Sequence, residues 1–242
     1  MPVKALHIIG LFGLFVWLET TPSAQPPTTP FDHVHLAVPN PQDAFQWYVD
    51  RFQGSPAEFP GRVSFEPWRP VIPLPVQLLF TRSADARPSE GSTIESIGLS
   101  FDGQSGLLSD PWGVKIELVD DARLRGFHHV RLRVPDVEGT MKWYERHFGG
   151  RRVVLRGEQA LSYGNVYVIV SHGKGAPSRG RAIDHISWGP TDIRGTMAEL
   201  RSQGQKIVAD VTGPNSFGHH IAYAEDPDGI YIELVRHNEL LK

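Results

Sequence analysis

A stretch of this chain is repeated within it, and that repeat constrains the fold more than any other feature. Phe31-Asp-His-Val-His-Leu-Ala-Val-Pro39 returns as Phe127-His-His-Val-Arg-Leu-Arg-Val-Pro135. The same spacing places Trp47-Tyr48 on Trp143-Tyr144, Phe52 on Phe148 and Gly54 on Gly150. A whole strand and the element after it are therefore duplicated, as in chains built from recurring supersecondary units. A second echo closes each half: Asp110-Pro-Trp-Gly-Val-Lys-Ile-Glu-Leu-Val119 matches Asp226-Pro-Asp-Gly-Ile-Tyr-Ile-Glu-Leu-Val235.

Within the better-preserved copy, Val130, Leu132 and Val134 alternate with His129, Arg131 and Arg133. That is the period of a half-buried strand. Asp136 stands where a helix N-cap belongs, and Val137, Met141, Tyr144 and Phe148 then recur at helical spacing before Gly149-Gly150 stops the run. Strand-like apolar runs follow around 153–155, 160–163 and 167–170. The unit is β-α-β-β-β, and it begins again at Ile183-Asp-His-Ile-Ser-Trp188. There it continues through a helix from about Ile193 to Gln203 and ends with strands near Ile207, Ile221 and Ile232. The expected fold class is α+β, with tandem βαβββ units forming curved sheets. Two domains are expected, over residues 31–121 and 126–237. The first is degenerate: only 21 residues separate Ser96 from Glu117, against 48 between His185 and Glu233, so its second unit loses its helix and part of its strands.

The first residues differ in character. Lys4, the apolar run from Ile8 to Leu18 and the small polar residues Thr20 to Ala24 have the layout of a secretory signal peptide over 1–24. A Pro-rich linker follows at 25–30. Eleven apolar residues fall short of the roughly 17 to 25 that a spanning helix needs, so the expectation is an exported protein, periplasmic or extracellular, without a permanent membrane span. An uncleaved amphiphilic anchor is the alternative. With 24 Lys and Arg against 27 Asp and Glu, the net charge of −3 provides no field for a polyanion and argues against nucleic acid as a partner. Absence of cysteine excludes disulfides, thiolate ligands and a cysteine nucleophile, so any metal must be held by nitrogen and oxygen. Monomer and homodimer are both compatible with two halves that can pair within one chain.

Paired βαβββ units, a His in the first strand, an Asp-Pro-Asp-Gly turn and a Glu four residues after its Gly resemble the vicinal-oxygen-chelate superfamily. That superfamily includes glyoxalase I, fosfomycin resistance proteins, bleomycin-binding proteins and extradiol dioxygenases. The resemblance runs from Phe31 to His237 and specifies fold better than reaction. It implies one divalent ion, Fe, Mn or Zn, held by His129, His185 and Glu233. The first half keeps His33 and Glu117 but has Ser96 where the second has His185. Because some members build a site from units of two halves, His33 is the alternative to His129.

Several reactions follow from such a site. A glyoxalase I pattern implies a further carboxylate on the last strand of the third unit. Val166-Tyr-Val-Ile-Val-Ser171 offers neither Glu nor Gln, which disfavours a glutathione-linked isomerase. Tyr223 before Asp226-Pro227 matches part of an extradiol dioxygenase pattern, but no His stands between Gly213 and Gly218. Arg131, on the face of His129, is a candidate for binding an anionic substrate or for pairing with a carboxylate of the cup. Tyr223 is a candidate proton donor, with His219 beside it by strand period. The resulting expectation is a metal-dependent enzyme acting on a small molecule with neighbouring oxygens, by lyase, isomerase or dioxygenase chemistry. The alternative is a non-catalytic binding protein of the bleomycin-resistance type.

Overall fold

A computed structural model describes residues 28–52, 55–56, 62–64 and 76–237. The expected signal peptide and the first half of the linker, residues 25–27, lie outside the described residues. The first unit comprises β1 (Phe31–Val38), α1 (Pro41–Phe52), β2 (Ser55–Pro56), β3 (Arg62–Ser64) and β4 (Gln77–Arg82). The second retains β5 (Ile94–Ser100), β6 (Gly106–Ser109) and β7 (Lys115–Val119), without a helix. The third is β8 (Gly126–Val134), α2 (Val137–Phe148), β9 (Arg151–Leu155), β10 (Glu158–Ser162) and β11 (Tyr167–His172). The fourth is β12 (Ile183–Trp188), α3 (Ile193–Ser202), β13 (Lys206–Thr212), β14 (His220–Glu225) and β15 (Tyr231–Arg236).

Local signals set these elements as expected. Asp136 caps α2 by accepting the amide of Gly139, and Asp192 does the same for α3 through Gly195. Alternation along β8 buries Val130, Leu132 and Val134 in the main core.

Pairing between units was not legible locally. Strands assemble in the orders β13-β14-β15-β12-β1-β4-β3-β2 and β6-β7-β5-β8-β11-β10-β9. Neither sheet comes from one half of the chain. The first unit joins the fourth through antiparallel β1 and β12, and the second joins the third through β5 and β8. The halves 31–121 and 126–237, expected as separate domains, are thus interleaved at the level of hydrogen bonding. Exchanging partners costs no backbone hydrogen bonds, because every unit presents the same kind of first-strand edge.

Each sheet curves into a cup, and apolar side chains behind the two cups merge in one core. Trp188 is central to it. Its ring stacks on Phe148 at 4.5 Å and meets Phe31 edge-on at 5.1 Å, joining the fourth, third and first units. Tyr48 and Tyr144, related by the repeat, each donate a 3.0 Å hydrogen bond to the aspartate that opens an Asp-Pro turn, Asp110 and Asp226 respectively.

Candidate metal centre

In the eight-stranded cup, β1, β12 and β15 are neighbours, so side chains pointing inward from all three converge. His33 Nε2 lies 3.2 Å and His185 Nε2 2.9 Å from the same oxygen, Oε2 of Glu233. All three residues are buried. His35, two residues beyond His33, has its Nε2 3.8 Å from that oxygen. One donor atom from each of His33, His35, His185 and Glu233 lies within 4.8 Å of all the others.

The other imidazole nitrogens are held from behind. His33 Nδ1 donates to Asp32 at 2.5 Å and His185 Nδ1 to Asp184 at 2.7 Å. A carboxylate only accepts, so these contacts place a hydrogen on each Nδ1. A neutral imidazole in that tautomer turns the lone pair of Nε2 toward Glu233. Two lone pairs facing a buried carboxylate are mutually repulsive unless positive charge lies among them. The electrostatics express the same demand. Burial alone would lower the pKa of His33, yet the charge of Glu233 and the bonds to Asp32 and Glu233 raise it to about 9. His185 is also raised, against burial, by Asp184 and Glu233. Glu233 is held far below the usual carboxylate range by His33 and His185, although burial opposes this. A divalent ion fits this donor set, and carboxylate support behind each histidine is the usual outer arrangement of such ligands.

The structure does not bring His129 to this cluster. Strand β8 belongs to the other sheet, where His129 Nε2 stands 3.4 Å from Glu117 and Nδ1 meets His128 Nδ1 at 2.8 Å. His33 occupies the corresponding position beside His185 and Glu233. Arg131 is in the other cup too, with its guanidinium fully engaged. Nε and Nη2 donate to both oxygens of Glu117 at 2.6 and 2.9 Å, and the remaining donors reach Glu158 and Ser171. With five N–H groups so occupied, no donor remains for a substrate oxyanion. Of the two readings given to Arg131, the geometry matches the ion pair.

Tyr223 is paired across the strands with Glu233, and its ring stands perpendicular to His185 at 5.8 Å. Burial and the Glu233 charge push its phenol pKa upward, so it keeps its proton. His219 is more remote: its Nε2 lies 3.2 Å from His237 Nδ1, and His237 Nε2 donates to Asp32 at 2.7 Å. Through His237 it connects to Asp32, behind His33. Four contributors escaped the sequence reading, namely His35, Asp32, Asp184 and His237. The signal for two of them was present, since an aspartate directly precedes both clustered histidines in Phe31-Asp-His and Ile183-Asp-His. Strict alternation puts Asp32 on the opposite face from His33. The register shift between Phe31 and Val34 relaxes that alternation.

The strand beside His33 is β4, and Gln77 is in register with His33 there. The strand expected to supply a further ligand, β11, lines the other cup.

Interleaved βαβββ units that bring two buried histidines onto one buried carboxylate define the class of α+β protein. A family profile, that of the Glyoxalase/Bleomycin resistance protein/Dioxygenase superfamily, matches residues 126–234. A probable lactoylglutathione lyase of Synechocystis sp. is 31% identical over 122 residues, covering 45% of this chain and 92% of that protein. Another, from Vibrio parahaemolyticus, is 28% identical over 127 residues, covering 46% and 90%. Among solved structures, glyoxalase I from Zea mays aligns with a TM-score of 0.66 at 19% identity, over 88% of this chain and 94% of that one. A putative dioxygenase from Bacillus subtilis aligns at 0.62 and 15%, over 87% and 86%. The chain belongs to the glyoxalase/bleomycin resistance/dioxygenase superfamily.

Proposed function

We propose that this protein is a metal-dependent enzyme of the lyase or isomerase kind, acting on a small substrate that presents two neighbouring oxygens to the Glu233 cup. The observation that carries this reading is the convergence of His33 and His185 on one oxygen of Glu233, each with its Nδ1 tied to an aspartate. Iron, manganese or zinc suits such a set, and the ion would supply Lewis acidity toward charge developing on substrate oxygen.

The chain's own residues have separable tasks. Asp32 and Asp184 fix the tautomer and aim of the two imidazoles. Tyr223, protonated and at the rim of the cluster, donates a hydrogen bond to a substrate oxygen as it gains charge. Burial of the cluster excludes water from the reacting atoms. Lyase chemistry is supported by the lactoylglutathione lyases among the relatives. The lack of Glu or Gln in Val166–Ser171 does not oppose it, because that segment belongs to the other cup.

A second reading is favoured by one feature. The seven-stranded cup holds a cavity of about 620 Å³ whose carboxylate Glu117 is neutralised by Arg131, so this cup resembles a metal-free binding pocket of the bleomycin-resistance type. Export by residues 1–24 is part of the proposal and is checked by N-terminal sequencing of secreted protein. Among the described residues no helix is long and apolar enough to cross a membrane.

Elemental analysis of protein purified without chelator tests the main reading, combined with turnover of the thiol adduct of a 2-oxoaldehyde. One ion per chain, lost in His185→Ala together with turnover, is expected. A metal-free protein, or one in which His185→Ala keeps its ion, overturns it.

A further inference from the structure

The position two residues after the first-strand histidine is filled differently in the two cups. In the seven-stranded cup it is Arg131, whose guanidinium grips Glu117 and also bonds to Ser171 Oγ. In the eight-stranded cup the repeat places His35 there, and its Nδ1 lies 2.9 Å from Thr81 Oγ1. Thr81 thus supports His35 from the neighbouring strand as Ser171 supports Arg131. In both cups this side chain reaches the cup's own carboxylate, Glu117 or Glu233. Where Ser96 replaces the second histidine, a permanent cation lies on the carboxylate. Where that histidine is present, the position holds an imidazole, which can be neutral and offer a lone pair.

The His35 ring stacks on His185 at 4.2 Å between centroids and 16° between planes, a consequence of direct cross-strand pairing. When Nδ1 donates to Thr81, the lone pair of His35 is on Nε2, 3.8 Å from Glu233 Oε2. The 4.8 Å spread among the four donor atoms compares with about 4 Å across an ion whose ligand bonds are about 2.1 Å. Closing the set requires the His35 ring to turn out of its stack on His185, because in-plane lone pairs of near-parallel rings do not meet on one ion.

We propose that His35 is a fourth protein ligand, so that the centre is a three-histidine, one-carboxylate site. This rests on the reading of the Glu233 cluster as a metal centre. An octahedral ion held by four side chains keeps two positions for two neighbouring substrate oxygens, whereas a tetrahedral zinc would be closed by the protein alone. The proposal therefore favours an ion that accepts six ligands.

The test counts imidazoles in the full chain. Wild type and His35→Gln are stripped, reloaded with one equivalent of Cu(II), and examined by pulsed EPR for coupled imidazole nitrogens. Manganese affinity is measured in parallel by calorimetry, and thermal melting confirms that both proteins fold. Three imidazoles in wild type and two in His35→Gln are expected, with affinity for manganese lower by 10- to 100-fold while one equivalent still binds. An unchanged nitrogen count and affinity in His35→Gln would remove His35 from the ligand set and leave the metal centre standing. Failure of wild type to bind either ion would overturn the centre and this inference together.

Discussion

His33 Nε2 lies 3.2 Å from Glu233 Oε2, although 200 residues separate them along the chain. The two belong to the first and last units of the molecule and meet because β1, β12 and β15 are adjacent in one sheet.

Placement of the centre predicts a contrast between two histidines that the repeat makes equivalent. His33→Ala is expected to cost at least 100-fold in manganese affinity, and His129→Ala to leave it unchanged, because His129 lies in the other sheet. Calorimetric titration of each variant decides it; equal loss in both would contradict the assignment.

Arg131 is expected to matter for stability and not for metal. Arg131→Met leaves Glu117 and Glu158 without their shared partner, at a cost of about 1–3 kcal/mol, less than for a fully buried pair because Glu158 is partly exposed. Denaturant unfolding should show the loss, and elemental analysis an undiminished ion content. Glu117→Gln introduced into Arg131→Met should recover part of it, since it removes one of the two stranded charges.

Acid should destabilise the seven-stranded cup through His128. Burial, and then the neighbouring His129, push its pKa from 6.5 down to about 4. The unfolded chain therefore binds a proton that the folded one refuses. Stability from this residue is complete above about pH 6.5, declines as pH falls, and is gone below about pH 4, for a total of about 3 kcal/mol. Unfolding free energies of wild type and His128→Gln between those limits should converge as pH drops; parallel curves would count against it.

Gly98 is required by close approach. A Cβ there would lie 2.0 Å from His129 Nδ1, far inside contact distance. Gly98→Ala must displace the His129 ring or part β5 from β8, and a loss of about 1–3 kcal/mol in chemical unfolding is expected.

Tyr223→Phe removes the phenolic proton beside Glu233 while keeping the ring that packs against His185. Turnover should fall by about 100-fold with metal content unchanged. Loss of the ion instead would assign Tyr223 to supporting the site.

The sequence by itself determined the units. Strand period, the Asp136 cap and the Asp-Pro turns are local, so β8, α2, β9, β10 and β11 appear close to where their residues indicate. It also determined the donor types, since a chain without cysteine can build a metal site only from nitrogen and oxygen, while His129, His185 and Glu233 were implied by the resemblance to the vicinal-oxygen-chelate superfamily. Only the tertiary structure decided which units share a sheet. Phe31-Asp-His-Val-His and Phe127-His-His-Val-Arg carry the same period-two pattern, which fixes the face a side chain takes but not the strand it pairs with. Pairing β1 with β12, rather than β8 with β12, placed His33 and His35 beside Glu233 and left His129 with Arg131 and Glu117. Backbone hydrogen bonds across a sheet are indifferent to sequence distance, so that choice was settled by packing of the whole molecule around Trp188 and its neighbours.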